Sequence, residues 1–92
     1  MPVSPADAAA AEKALRQDAC RSIAQTAGLT EKETVVLELV SLGYTVARIA
    51  QERNVSENTV RTHTKGLYRK LDVHSKQEVI ELVEQTMATQ AE

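Results

Sequence analysis

Five residues in the middle of the chain, Asn58, Arg61, Thr62, Lys65 and Arg69, carry groups with which proteins read and hold a nucleic-acid duplex. An α-helix turns about 100° per residue, so on a helix this spacing gathers all five within roughly 100° of one another. Val60, Leu67 and Leu71 then lie on the opposite side, with His63 and Thr64 at the edges of the apolar stripe. A helix anchored by its apolar back, with long cationic and amide side chains in front, fits a major groove. Arg61 and Lys65 can donate to guanine O6 and N7, and a good bidentate pair contributes about 1–3 kcal/mol of discrimination. Thr62 offers a methyl to thymine or a hydroxyl to a base edge, and Asn58 can reach adenine or a phosphate. The bland alternative is a solvated helix face, which cations alone do not exclude.

Other reactive residues lack partners. His63 and His74 stand eleven positions apart across an expected helix end, and Cys20 lies far upstream, so no metal-ligand spacing is present. A hydrogen-bonded structural role is expected for His63. Asp72 and His74 come with no nucleophile, and no glycine-rich phosphate loop occurs. The sequence reads as neither an enzyme nor a cofactor or small-molecule binder. A single cysteine excludes an intrachain disulfide and suits a reducing interior, where Cys20 acts as a small hydrophobe. No apolar run approaches a membrane span and the start lacks a basic signal-peptide front, so a cytoplasmic location is expected.

Charge is unevenly placed. The net charge is −2, but residues 45–71 carry six basic and two acidic groups, while residues 72–92 carry one basic and five acidic. Local potential governs the encounter with phosphate, so a basic middle between acidic ends is compatible with DNA. Ninety-two residues make one domain at most. Tyr44 and Tyr68 are the only aromatics, so the core must be aliphatic, which favours helices packed closely.

The elements that position the five residues follow from local signals. Ser4-Pro5 and Asp7 open a first helix, running through an alanine-rich stretch to about Thr26 and stopped by Gly28. Its apolar ladder (Leu15, Ala19, Ile23, Ala27) is thin, which predicts a leader that docks weakly or frays. Thr30-Glu31-Lys32-Glu33 is a capping box for a helix to Leu42 that buries Val36, Leu37 and Val40. Thr45 caps a short helix over 46–53 with Ile49 and Ala50 inward. Asn54 takes the left-handed stop, Val55 plugs the corner, and Ser56 caps the basic helix over 57–71: a helix-turn-helix. Ser75-Lys76-Gln77-Glu78 is a second capping box, opening a last helix to about Met87. That helix has two apolar sides, and the second (Ile80, Val83, Met87) suggests a subunit contact, the alternative being cover by the first helix. The tail 88–92 is expected to be loose.

In this order the chain resembles the LuxR-type (GerE-like) helix-turn-helix domain, also the output module of NarL/FixJ response regulators. The resemblance spans about Leu29 to Met87. It rests on Leu29-Thr30-x-x-Glu33 with Val36-Leu37, Gly43, Ile49-Ala50, Ser56-x-x-Thr59-Val60-x-x-His63, Lys70-Leu71-x-Val73 and the helix from Ser75. It implies an all-α, four-helix bundle over 29–87, preceded by a leader or linker helix over 1–28, acting as a sequence-specific transcriptional regulator on double-stranded DNA. It also implies a homodimer joined by the last helix. The family's base-reading positions fall on Arg61, Thr62 and Lys65, to which the helix face adds Asn58. Its phosphate contacts fall on Thr59, Arg69 and Lys70; Ser56 and Arg48 are further candidates. Departures are Arg48 in place of a usual Glu, Gly66 inside the recognition helix, where it permits close backbone approach, and Lys76 for a common Arg. Family members usually carry a sensory or receiver domain upstream, so the chain is expected to be either a stand-alone effector or the output end of a longer regulator, free or membrane-anchored. The rival readings are a sigma-factor region that reads a promoter element and a protein-binding module whose basic face is incidental.

Overall fold

A computed structural model describes residues 4–91. Among them run five helices: α1 (Pro5–Ala27), α2 (Glu31–Ser41), α3 (Val46–Arg53), α4 (Glu57–Leu71) and α5 (Lys76–Ala91). The boundaries are set by side chains that satisfy the free N–H groups of each first turn. Ser4, Thr45 and Ser56 accept from the backbone N–H three residues on, and Thr30 with Glu33 completes the reciprocal capping box. Ser75 and Glu78 do the same for α5. At the other ends the chain turns through left-handed backbone at Gly28 (φ 71°), Asn54 (φ 54°) and Asp72 (φ 54°).

The core is aliphatic. Leu37, Ile49, Val60, Leu67, Val79 and Val83 are fully buried, and Val36, Val40, Ala50 and Met87 complete it. α2 lies at the centre, packed on α4 and α5, while α3 packs across α4 and α1 lies against α5 and α2.

Three expectations about the ends of the chain need correction. The first helix is docked along its second half. Residues Ser4 to Ala14 are exposed, but from Leu15 onward α1 docks, burying Ala19, Cys20 and Ile23 together with Arg16. The stripe looked thin because two of the four residues buried there, Ala19 and Cys20, are small, which lets the helices approach closely, and another, Arg16, is charged. Arg16 Nη1 donates to Ser41 Oγ (3.0 Å) and to the Ser41 carbonyl (3.3 Å), so its charge is anchored at the end of α2. Burial pushes the Cys20 thiol up to about 12, with the negative charge of Glu38 adding to the effect. That makes Cys20 a packing residue. Second, the tail is helical through Ala91 rather than loose from Ala88. Third, Val83 and Met87 are 0% and 8% exposed within the single chain. The second apolar side of α5 is largely answered by the chain's own core, the alternative weighed above, and Ile80 alone of the three stays half-buried.

Candidate nucleic-acid interface

α4 is presented by its back. Val60 and Leu67 are fully buried, Leu71 and Tyr68 pack against the core from the sides, and α2 and α3 hold the helix from beneath. Asn58, Arg61, Thr62, Lys65 and Arg69 are all exposed along the front, as the angular count requires. α1 packs on α5 and α2 and leaves this front open.

The front residues differ in how free they are. Lys65 and Arg69 make no ion pair among the described residues. Arg61 Nη2 lies 3.1 Å from Glu57 Oε1, but both side chains are at least half solvated. Such a pair is worth about 0.3–0.5 kcal/mol, so Arg61 can leave it for a base at little cost. The Thr62 hydroxyl donates to the Asn58 carbonyl (3.0 Å), which leaves its methyl and an oxygen lone pair facing outward. Asn58 is exposed beside it.

The assigned phosphate contacts divide more sharply. Arg69 is exposed and unpaired, whereas Ser56 and Thr59 bond to each other (2.9 Å) while Ser56 caps α4. Ser56 is therefore committed first to the helix. Arg48 stacks on the Tyr44 ring with its guanidinium carbon 3.7 Å from the centroid, a cation–π contact that holds it to the surface of α3. Lys70 turns away from the front. Its Nζ pairs with Glu33 Oε1 at 2.7 Å across 37 residues of sequence, and its side chain is only 30% exposed. That pair competes with the phosphate role expected of Lys70: one position beyond Arg69 the helix has rotated it by about 100° toward α2.

Glu33 is what sequence reading missed. It was legible as half of a capping box, but it is 6% exposed and accepts from both Lys70 Nζ and the Thr30 N–H (2.9 Å). Lys70 and then the Thr30 N–H hold its carboxyl below the ordinary value near 4.5. Gly66 belongs to the same cluster. A Cβ at Gly66 would run into Glu33 Oε2, so the close approach this glycine permits is to a carboxylate of its own chain.

His63 is half-buried at the lip of a groove of about 390 Å³ lined by Lys32, Val35, Arg53, Val55 and Thr59. Its ring makes no hydrogen bond among the described residues, contrary to expectation. Val55, expected to plug the turn, is 43% exposed in the same groove, which Ile49 and Val60 also line. No cluster of metal-ligating side chains occurs among the described residues, and none of their helices is long and apolar enough to cross a membrane.

A family model described as "Bacterial regulatory proteins, luxR family" (GerE) matches residues 27–83. The chain belongs to the luxR family. The match takes the place of the sigma-factor alternative and extends from the end of α1 into α5, so most of α1 lies outside it. Similar proteins include the HTH-type transcriptional regulator MalT of Vibrio cholerae, 32% identical over 76 residues, which covers 83% of this chain and 8% of that protein. The MalT proteins of Klebsiella pneumoniae (33% over 76 residues, 83% and 8%) and Yersinia pestis (36% over 70 residues, 76% and 8%) are similar as well. The chain thus spans about 8% of the length of the curated relatives it matches. No solved structure gives a significant match.

As a luxR-family domain the chain is a DNA-binding module of transcription regulators, and its departures from the family pattern become intelligible. Lys76, in place of the usual Arg, donates to the carbonyls of Gly43 and Tyr44 (both 2.9 Å), tying the start of α5 to the turn after α2. Arg48, in place of Glu, stacks on Tyr44 in the same turn.

Proposed function

We propose that this luxR-family domain is a sequence-specific transcriptional regulator that inserts α4 into the major groove. Arg61, Lys65, Thr62 and Asn58 read base edges. Arg69 and Thr59 hold phosphates, with Ser56 and Arg48 at the margin. The observation that carries this reading is the exposure of five polar side chains along one side of a helix whose other side is anchored in the core by Val60 and Leu67. Phosphate contacts fix register while base contacts carry the sequence information, so the two sets should separate experimentally. The chain acts on double-stranded DNA in the cytoplasm, with no catalytic step and no cofactor.

A homodimer on a repeated half-site is part of the proposal. Since Val83 and Met87 are occupied internally, the contact falls to the outer side of α5, where Ile80 is half-exposed and lies outside the residues packed on the core. Relatives far longer than this chain support a role as the output part of a larger regulator, with α1 (Pro5–Ala27) as the connection.

Selection of bound sequences from a random duplex pool, followed by sedimentation of the complex, tests this. A defined repeat bound by two protomers is the expected outcome. A pool that never enriches sinks the base-reading assignment, and a single protomer on a single half-site sinks the dimer.

A further inference from the structure

Gly66 is a glycine in the middle of a helix, a position where this residue ordinarily weakens the helix relative to alanine. Gly28 and Gly43 adopt positive φ and have open space where a Cβ would stand. Gly66 has helical backbone, and its missing Cβ position is filled by the Glu33 carboxylate, with Glu33 Cδ 3.6 Å away. That carboxylate is not free to swing. Its Oε1 is held by Lys70 Nζ at 2.7 Å and by the Thr30 N–H at 2.9 Å, in a side chain almost wholly buried.

We propose that Glu33, Lys70 and Gly66 form a latch that sets the roll of α4 about its own axis, with Glu33 and Lys70 as positioning residues for DNA recognition and Lys70 not a phosphate ligand. The inference rests on the base-reading role of α4. A roll of about 15° would carry a side-chain tip some 6 Å from the helix axis through roughly 1.5 Å, half the length of a hydrogen bond. Arg61, Thr62 and Lys65 would then miss the base edges, while phosphate contacts, being less directional, would persist. Gly66 lets the carboxylate lie directly on the backbone of α4, and Lys70 draws the flank of α4 onto the first turn of α2. The latch therefore contributes to selectivity rather than to total charge neutralised.

The test uses the whole chain, its selected duplex and a random duplex of equal length, titrated over a range of salt, with thermal unfolding of each variant alongside. Lys70→Met and Glu33→Gln should lower the specific-to-random affinity ratio about tenfold. Both should leave the log–log salt slope within a few tenths of the parent. Gly66→Ala alters no charge and ordinarily strengthens a helix, so it stands in should either charge variant fail to fold; it should lower the ratio about fivefold. Adding Gly66→Ala to Glu33→Gln should do no further harm. A slope shallower by about 0.9 in Lys70→Met, with equal losses on both duplexes, marks a phosphate ligand and overturns the proposal. An unchanged ratio in Gly66→Ala overturns it too. A parent chain with no sequence preference overturns the base-reading function and this proposal with it, and that result is visible in the parent alone.

Discussion

α4 and α5 are nearly equal in length and lie on the same central helix, yet they end in opposite conditions. α4 buries one side and leaves the other bare, and the bare side carries Asn58, Arg61, Thr62, Lys65 and Arg69. α5 buries Val79 together with Val83 and Met87, because α2 and α1 both pack on it. An apolar surplus on a helix is first a demand on the rest of its own chain, whereas a cationic surplus can be met by a partner outside it. The contrast makes α4 the working surface and α1 with α5 its support.

The strongest way to break this comparison is to place a charge where α5 is said to be internal. Val83→Asp should cost about 3–5 kcal/mol, since a buried carboxylate without a partner carries its full desolvation penalty. That is a large part of the stability of a small domain, and circular dichroism should show a melting temperature lowered by about 10 °C or more. A variant with an unchanged melting temperature and lowered DNA affinity would instead return Val83 to a subunit contact.

On the other helix the effect should be functional and leave folding intact. Arg61→Ala or Lys65→Ala should each remove about 1–3 kcal/mol of discrimination, roughly 5- to 150-fold on the selected duplex, with unchanged thermal unfolding. Arg69→Ala should weaken specific and random duplex alike. Binding titrations on both duplexes check this, and equal losses for Arg61→Ala would remove it from the base-reading set.

Arg16→Ala sharpens the role of α1. Losing a charged donor to Ser41 should cost about 1.5–3 kcal/mol, or some 6–20 °C in the melting temperature of a chain this size. Discrimination between duplexes should stay the same, because Arg16 touches the support and not the reading face. A loss of discrimination at preserved stability would contradict that.

The smallest effect is on pH. The Glu33 carboxyl titrates below its ordinary value near 4.5, so its stabilisation is present above that value. It is lost as the pH falls through the depressed value of the folded state. Thermal unfolding from pH 6 downward should show a steeper acid decline in the parent than in Glu33→Gln, and identical slopes would separate Glu33 from the pH response.

Much of this was legible in the chain because the signals are local. The capping residues Ser4, Thr30, Thr45, Ser56 and Ser75 lie within one turn of the groups they satisfy, and Gly28 and Asn54 mark stops by their own backbone freedom. The face of α4 follows from residue spacing alone. What was not legible depends on which helix lies beside which. Val55 was expected inside the turn but lines an open groove beside Ile49 and Val60. Lys70 and Arg69 are adjacent cations that the helical period sets about 100° apart, but only the fold shows that Lys70 meets Glu33.

The residues taken by themselves determined five helices, their boundaries, and the division of α4 into an apolar back and a cationic front. Hydrogen bonds of the first and last turns and the 3.6-residue period act over a few positions. Only the tertiary structure decided that α1 docks, that Val83 and Met87 are internal, and that Lys70 belongs to Glu33. Those contacts join groups 25 to 37 residues apart, or whole helix faces, and depend on how the helices cross.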